Sequence, residues 1–172
     1  MSLEIILPPG DTEMKISVLC VGKIKEGFYR EAVSEYAKRL SRYCKLEICE
    51  VADEKTPEQC SDVVGKQILE REGERLARLL KPDAFCIALA IEGKKMDSCA
   101  FSGWIDRLGI NGTSHIQFLI GGSLGLSDRL LRQADARLSF SDMTFPHQLM
   151  RVILLEQIYR GYRIMNHEPY HK

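Results

Sequence analysis

The sequence predicts an α/β protein built on a parallel sheet, and three observations carry that prediction. Strand-like runs alternate with helix-like runs along the chain, the pattern of βαβ units. Ala84–Ile91 (AFCIALAI) is apolar throughout, as a central parallel strand covered on both faces must be. The C-terminal third runs as strand His115–Ile120, turn Gly121–Ser127, short helix Asp128–Ala134, strand Ala136–Phe140, loop Ser141–Pro146 and long helix His147–His167. Adjacent loops at the ends of parallel strands are where such a sheet holds a ligand.

In chain order, Lys15–Val21 (KISVLCV) reads as a mostly apolar strand. From Phe28 to Tyr43, apolar residues recur at Tyr29, Val33, Tyr36, Leu40 and Tyr43, the steps of an amphipathic helix. The other face of that helix carries Arg30, Lys38, Arg39 and Arg42, read either as a phosphate-binding strip or as a solvated face. Leu46–Val51 is a second strand. Thr56-Pro57 is expected to start the next helix, with threonine as N-cap and proline in the first turn. Val64, Ile68, Leu76 and Leu79 line one side of it, and Lys81-Pro82-Asp83 ends it. After Ala84–Ile91, Asp97 or Ser98 caps a helix reaching Leu108, and Asn111-Gly112 turns into the strand His115–Ile120.

Composition bounds the classes. The 172 residues suffice for one domain with a core, and no repeat or linker divides them. Residues 14–172 are read as that domain; Met1–Glu13, with Pro8-Pro9-Gly10, is read as an extension outside it. The extension lacks the basic start of a secretory signal, and no apolar stretch reaches the ~18 residues of a membrane span. Six cysteines form no C-x-x-C pair, and several sit in strand-like runs as small hydrophobes, which points to a reducing cytoplasm. Zero formal net charge argues against indiscriminate nucleic-acid binding, while a local basic patch survives a neutral sum.

Several segments carry candidate chemistry. Gly121-Gly122-Ser123-Leu124-Gly125 follows a strand and opens a helix, and lacks the lysine of a P-loop. It is read either as a turn allowing close backbone approach to a ligand or as a plain turn with Ser127 as N-cap. Ser141–Pro146 offers backbone donors and acceptors beside Met and Phe surfaces, which suits a neutral heteroaromatic ring such as adenine. His167 and His171 have H-x3-H spacing, but without a cysteine pair or acidic ligand no metal site is expected. Arg151, His171 and Lys172 are read either as phosphate contacts or as a solvated face and terminus. Val152-Ile153-Leu154-Leu155 covers all sides of the last helix, so one side needs a partner beyond the sheet. That partner is either a second copy or a neighbouring helix of the same chain.

Taken together these segments resemble a known family. Phe118–Ser127 (FLIGGSLGLS), Leu138–Arg151 (LSFSDMTFPHQLMR), Glu156–Arg160 (EQIYR) and Pro169–Lys172 (PYHK) are similar to the RlmH (YbeA-type) members of the SPOUT methyltransferases. Lys15–Lys23 and Leu89–Lys94 are similar to them too, so the resemblance spans Met14 to Lys172. Ser123-Leu124 departs from the family, where a Pro-Glu or similar pair is common. The resemblance implies a parallel-sheet SPOUT fold with a C-terminal trefoil knot, a homodimer, and S-adenosyl-L-methionine bound in the knot. It implies methylation of N3 of a pseudouridine in 23S rRNA of the large ribosomal subunit. Carried over, the cofactor contacts fall at Leu89, Gly121, Phe140, Ser141, Asp142, Met143, Thr144 and Phe145. On that footing His171 is the expected general base, Tyr170 orients or stacks the target base, and Arg151 fixes a phosphate or the ring oxygens. A non-catalytic RNA- or ribosome-binding module, or a methyltransferase of another RNA, is the alternative.

Overall fold

The computed structural model describes residues 13–172; all but the last residue of the expected extension lies outside the described residues. Alternation builds the sheet. In β1 (Lys15–Val21), Ile16, Val18 and Cys20 face one side and Leu19 and Val21 the other, and all five are buried. α1 (Gly27–Leu40), β2 (Lys45–Val51), α2 (Asp62–Ala77), β3 (Phe85–Lys95), α3 (Ser98–Ile110), β4 (His115–Ile120), α4 (Asp128–Gln133), β5 (Ala136–Ser139) and α5 (His147–Met165) follow. The five strands pair in parallel in the order β2-β1-β4-β3-β5.

The helices cover both faces. Leu40 of α1, Phe101 and Ile105 of α3, and Leu154, Leu155 and Ile158 of α5 pack with the Ile16 side of the sheet. Leu76 of α2 and Leu130 and Leu131 of α4 pack with the Leu19 side. Burial pushes the thiols of Cys20 and Cys44 up to about 12 and that of Cys86 up to about 11. These are inert core residues.

Several elements differ from the sequence reading; α1 ends at Leu40, short of Tyr43. α2 starts at Asp62, capped by the Ser61 hydroxyl accepting from the Val64 N–H. Thr56 does not cap it; its Oγ1 lies 3.0 Å from Ser123 Oγ, tying the segment after β2 to the turn after β4. β3 runs on to Lys95 instead of stopping at Ile91: pairing with β5 lapses after Leu89 and resumes at Lys94, so 90–93 bow out. A β-carbon at Gly93 would stand 2.7 Å from the Leu138 carbonyl carbon, so glycine lets the chain rejoin β5. α5 ends at Met165, and His167 has φ 54°, the left-handed region that ends a helix.

The covering of α5 is largely internal. Tyr36 of α1 and Tyr43 in the turn after it meet Tyr159, and the Ser102 hydroxyl of α3 donates to the Gly161 carbonyl at 2.7 Å. Neighbouring helices of the same chain therefore account for the buried Leu154, Leu155 and Ile158, while Val152 and Ile153 stay partly open. Among the described residues, no helix is long and apolar enough to cross a membrane.

Candidate functional site

The strand order creates a crevice. The chain leaves β3 toward α3 on one face and leaves β4 toward α4 on the other, so the C-terminal ends of these neighbours diverge. There lies a cavity of about 720 Å³ lined by Leu89–Glu92, Ile120–Leu126, Phe140, Ser141, Met143–Pro146, His147 and Met150, with Leu131, Leu138 and Ser139. That volume is in the range that encloses a small ligand.

The glycine turn forms one wall. The Gly125 N–H donates to the Gly122 carbonyl at 3.0 Å, with Gly125 at φ +86°. A β-carbon on Gly121 would stand 2.3 Å from the Gly125 carbonyl, so Gly121 is required by the turn itself, not only by the space it leaves for a ligand. Ser127 caps α4, its hydroxyl accepting from the Leu130 N–H at 3.3 Å. Below Gly122 sits Glu72, buried, with Oε1 accepting from the Glu54 N–H and Oε2 without a partner. Burial raises its carboxyl above the ordinary range.

The loop after β5 forms the opposite wall. The Ser139 hydroxyl donates to the Ser141 carbonyl at 3.0 Å, and the Met143 N–H donates to Ser141 Oγ at 3.0 Å. Leu89, Gly121, Phe140, Ser141, Met143, Thr144 and Phe145 of the expected set line the cavity. Asp142 does not: it is exposed and its carboxylate pairs with Lys95.

Arg151 departs most from expectation. It is 1% exposed, so it presents nothing to a phosphate or a ring oxygen. Its Nη1 donates to Glu50 Oε2 at 2.6 Å, and its Nη2 donates to the carbonyls of Val21 at 3.0 Å and Gly22 at 2.6 Å. It clamps the ends of β1 and β2 to α5.

The tail folds back on α5. The Tyr170 ring meets Tyr159 edge-on at 5.0 Å, Arg160 lies over it at 4.7 Å, and its hydroxyl donates to Glu156 at 3.2 Å. Burial, then the neighbouring Tyr36 hydroxyl and Glu156 carboxylate, push its phenol up to about 12, so the O–H is kept as a donor. Arg160 Nη1 donates to His171 Nδ1 at 3.2 Å, which puts the ring proton on Nε2, facing Cys99 Sγ at 3.6 Å. His171 lines a second cavity, of about 500 Å³, that shares Phe140 and Phe145 with the first. Those two rings thus stand between the tail and the main cavity of the same chain. Among the described residues, no group of three or more His, Cys, Asp or Glu side chains is placed to hold a metal ion.

Among the lining residues that sequence reasoning missed, His147 is the titratable one beside β1. Its only signal was its place directly after the ligand loop, at the first position of a long helix.

A family model described as "Predicted SPOUT methyltransferase" matches residues 14–171. The chain is 62% identical over 159 residues to a "Ribosomal RNA large subunit methyltransferase H" from Bifidobacterium adolescentis, a match covering 92% of this chain and all of that protein. Proteins of the same name from Bifidobacterium animalis subsp. lactis and Clostridium tetani are 58% and 56% identical, again over 92% of this chain and all of each relative.

Proposed function

The chain belongs to the SPOUT methyltransferase family, and from that premise we propose that it methylates N3 of a pseudouridine in 23S rRNA, using S-adenosyl-L-methionine. The observation that carries this reading is the cavity at the ends of β3, β4 and β5. A protein that only bound RNA would not need a half-open, mainly apolar pocket walled by backbone that glycines bring close.

The residues present fit the cofactor. Leu89 and Phe140 offer apolar surface to a flat ring, and the Phe140–Phe145 backbone offers donors and acceptors to its edge. Gly121 keeps the opposite wall thin. When bound, the cofactor supplies an already electrophilic methyl group, so the protein's task is positioning and proton handling. Neither role requires a metal.

We assign Tyr170, His171 and Lys172 to the RNA side of the reaction. Tyr170 carries an aromatic face for an unstacked base. His171 serves as general base once it gives up the hydrogen bond from Arg160, because that bond occupies its lone pair. The position of Phe140 and Phe145 between tail and cavity supports a homodimer in which the tail of one copy serves the cavity of the other. Exposed Ile91, Met143 and Leu124 at the cavity rim give such a contact apolar surface. We include in this reading the C-terminal knot, a single SPOUT domain over residues 14–172, and a cytoplasmic location beside the ribosome.

Isothermal titration with S-adenosyl-L-methionine tests the first requirement. One site per chain is expected; absence of binding contradicts the reading and favours the RNA-binding alternative.

A further inference from the structure

His147 lines the cavity, and its ring lies beside Gly22 at the end of β1. A β-carbon on Gly22 would stand 3.5 Å from His147 Cε1 and 3.7 Å from Asp53. Nδ1 is sealed from solvent without a hydrogen-bond partner, and no hydrogen bond to Nε2 is made among the described residues. An orphaned buried N–H is rarer than an orphaned acceptor and costs about 1–3 kcal/mol. The surroundings therefore place the lone pair on Nδ1 and the proton on Nε2.

The charged groups around the ring agree. Burial and then the Arg151 guanidinium hold the imidazolium form below the usual histidine range; Lys25 adds to this and Asp53 opposes it. Glu50 is engaged by Arg151 at 2.6 Å. Near pH 7 His147 is thus a neutral N–H donor for which the described residues supply no acceptor.

Its place in the sheet decides what the donor meets. The residues assigned to the cofactor sit at the ends of β3, β4 and β5, whereas His147 lines the same cavity on its β1 side, next to Gly22, in the order β2-β1-β4-β3-β5. A cofactor in the first place leaves the second to the acceptor base. In that base the reacting nitrogen lies between two carbonyls, so charge moves onto their oxygens as the N–H proton leaves. Resting on the methyltransferase reading above, we propose that His147 donates a hydrogen bond through Nε2 to a carbonyl oxygen flanking the nitrogen being methylated.

The step balances without a proton from His147. The ring nitrogen gives its proton to the general base and its lone pair to the methyl carbon. The carbon–sulfur bond breaks with its electron pair on sulfur, leaving methylated base, thioether and one proton. A preorganised donor at a developing oxyanion is worth about 10²–10³ in rate.

Two measurements test this. Nitrogen NMR of ¹⁵N-histidine-labelled full-length protein reads the tautomer directly. The expected form is Nε2–H, with a titration midpoint below the ordinary value of about 6.5; an Nδ1–H form, or a midpoint at or above that value, overturns the assignment. His147→Phe and His147→Gln are then compared by S-adenosyl-L-methionine calorimetry and by single-turnover methylation of unmodified large subunits. His147→Phe is expected to slow turnover about 100-fold with cofactor affinity unchanged, and His147→Gln, which keeps an N–H, to recover part of the rate. A His147→Phe enzyme at full rate, or one that has lost cofactor affinity, overturns the assignment. Wild-type protein that binds no cofactor contradicts the methyltransferase reading itself, and the tautomer remains readable apart from it.

Discussion

Arg151 reaches from α5 to within 2.6 Å of the Glu50 carboxylate, and the same guanidinium holds the carbonyls of Val21 and Gly22. Three segments distant in sequence are joined by one buried fork. Glu50 is partly open to solvent, so removing the guanidinium strands chiefly the Val21 and Gly22 carbonyls, and an unsatisfied buried acceptor costs about 1–3 kcal/mol. Arg151→Met should therefore lower stability by at least about that amount in urea unfolding, and any loss of activity should track unfolding. A stable, folded Arg151→Met protein that has lost only methyl transfer would return Arg151 to the chemistry.

Gly121→Ala carries the smallest possible side chain into the turn. Because its β-carbon would lie 2.3 Å from the Gly125 carbonyl, the turn must open. We expect weakened S-adenosyl-L-methionine binding in calorimetry together with a lower Tm. Wild-type affinity in Gly121→Ala would remove this turn from the site.

How far the sequence could be read depends on what kind of force sets each feature. β4 and the Ser127 cap were legible because an apolar run and a capping hydroxyl act locally. The continuation of β3 to Lys95 was not, since it rests on Lys94 and Lys95 pairing again with β5, a tertiary partner, after residues 90–93 bow out. Thr56-Pro57 has a good cap signature, but Ser61 caps α2 and Thr56 is drawn to Ser123, 67 residues away. Helical spacing identified Arg151 as a cation on α5 without saying that Glu50 lay beneath it. The resemblance pointed to the Phe140–Phe145 loop, and the structure makes most of it a wall of the cavity; the outward turn of Asp142 toward Lys95 was not legible.

Glu72 makes stability depend on pH. Its carboxyl is raised in the folded state, chiefly by burial, so its contribution is full below the ordinary glutamate value and is lost as pH rises through the raised value. Glu72→Gln should flatten the fall in stability that wild type shows above that ordinary value. Parallel stability–pH curves for the two proteins would contradict a raised carboxyl at this position.

Deleting Tyr170–Lys172 should abolish methyl transfer while leaving cofactor affinity near wild type, because the tail stands across Phe140 and Phe145 from the main cavity. Mixing tail-deleted chains with Gly121→Val chains should restore partial activity if one copy's tail serves the other's cavity. Absence of complementation in confirmed heterodimers would mean that each chain completes its own site.

The central claim is methyl transfer to one ring nitrogen of ribosomal RNA. The most direct measurement incubates the protein with S-adenosyl-L-methionine and large ribosomal subunits lacking the modification, then identifies the nucleosides by mass spectrometry. The account predicts one 3-methylpseudouridine per 23S rRNA. Unmodified rRNA recovered with protein that binds the cofactor, or a methyl group on any other atom, would contradict it.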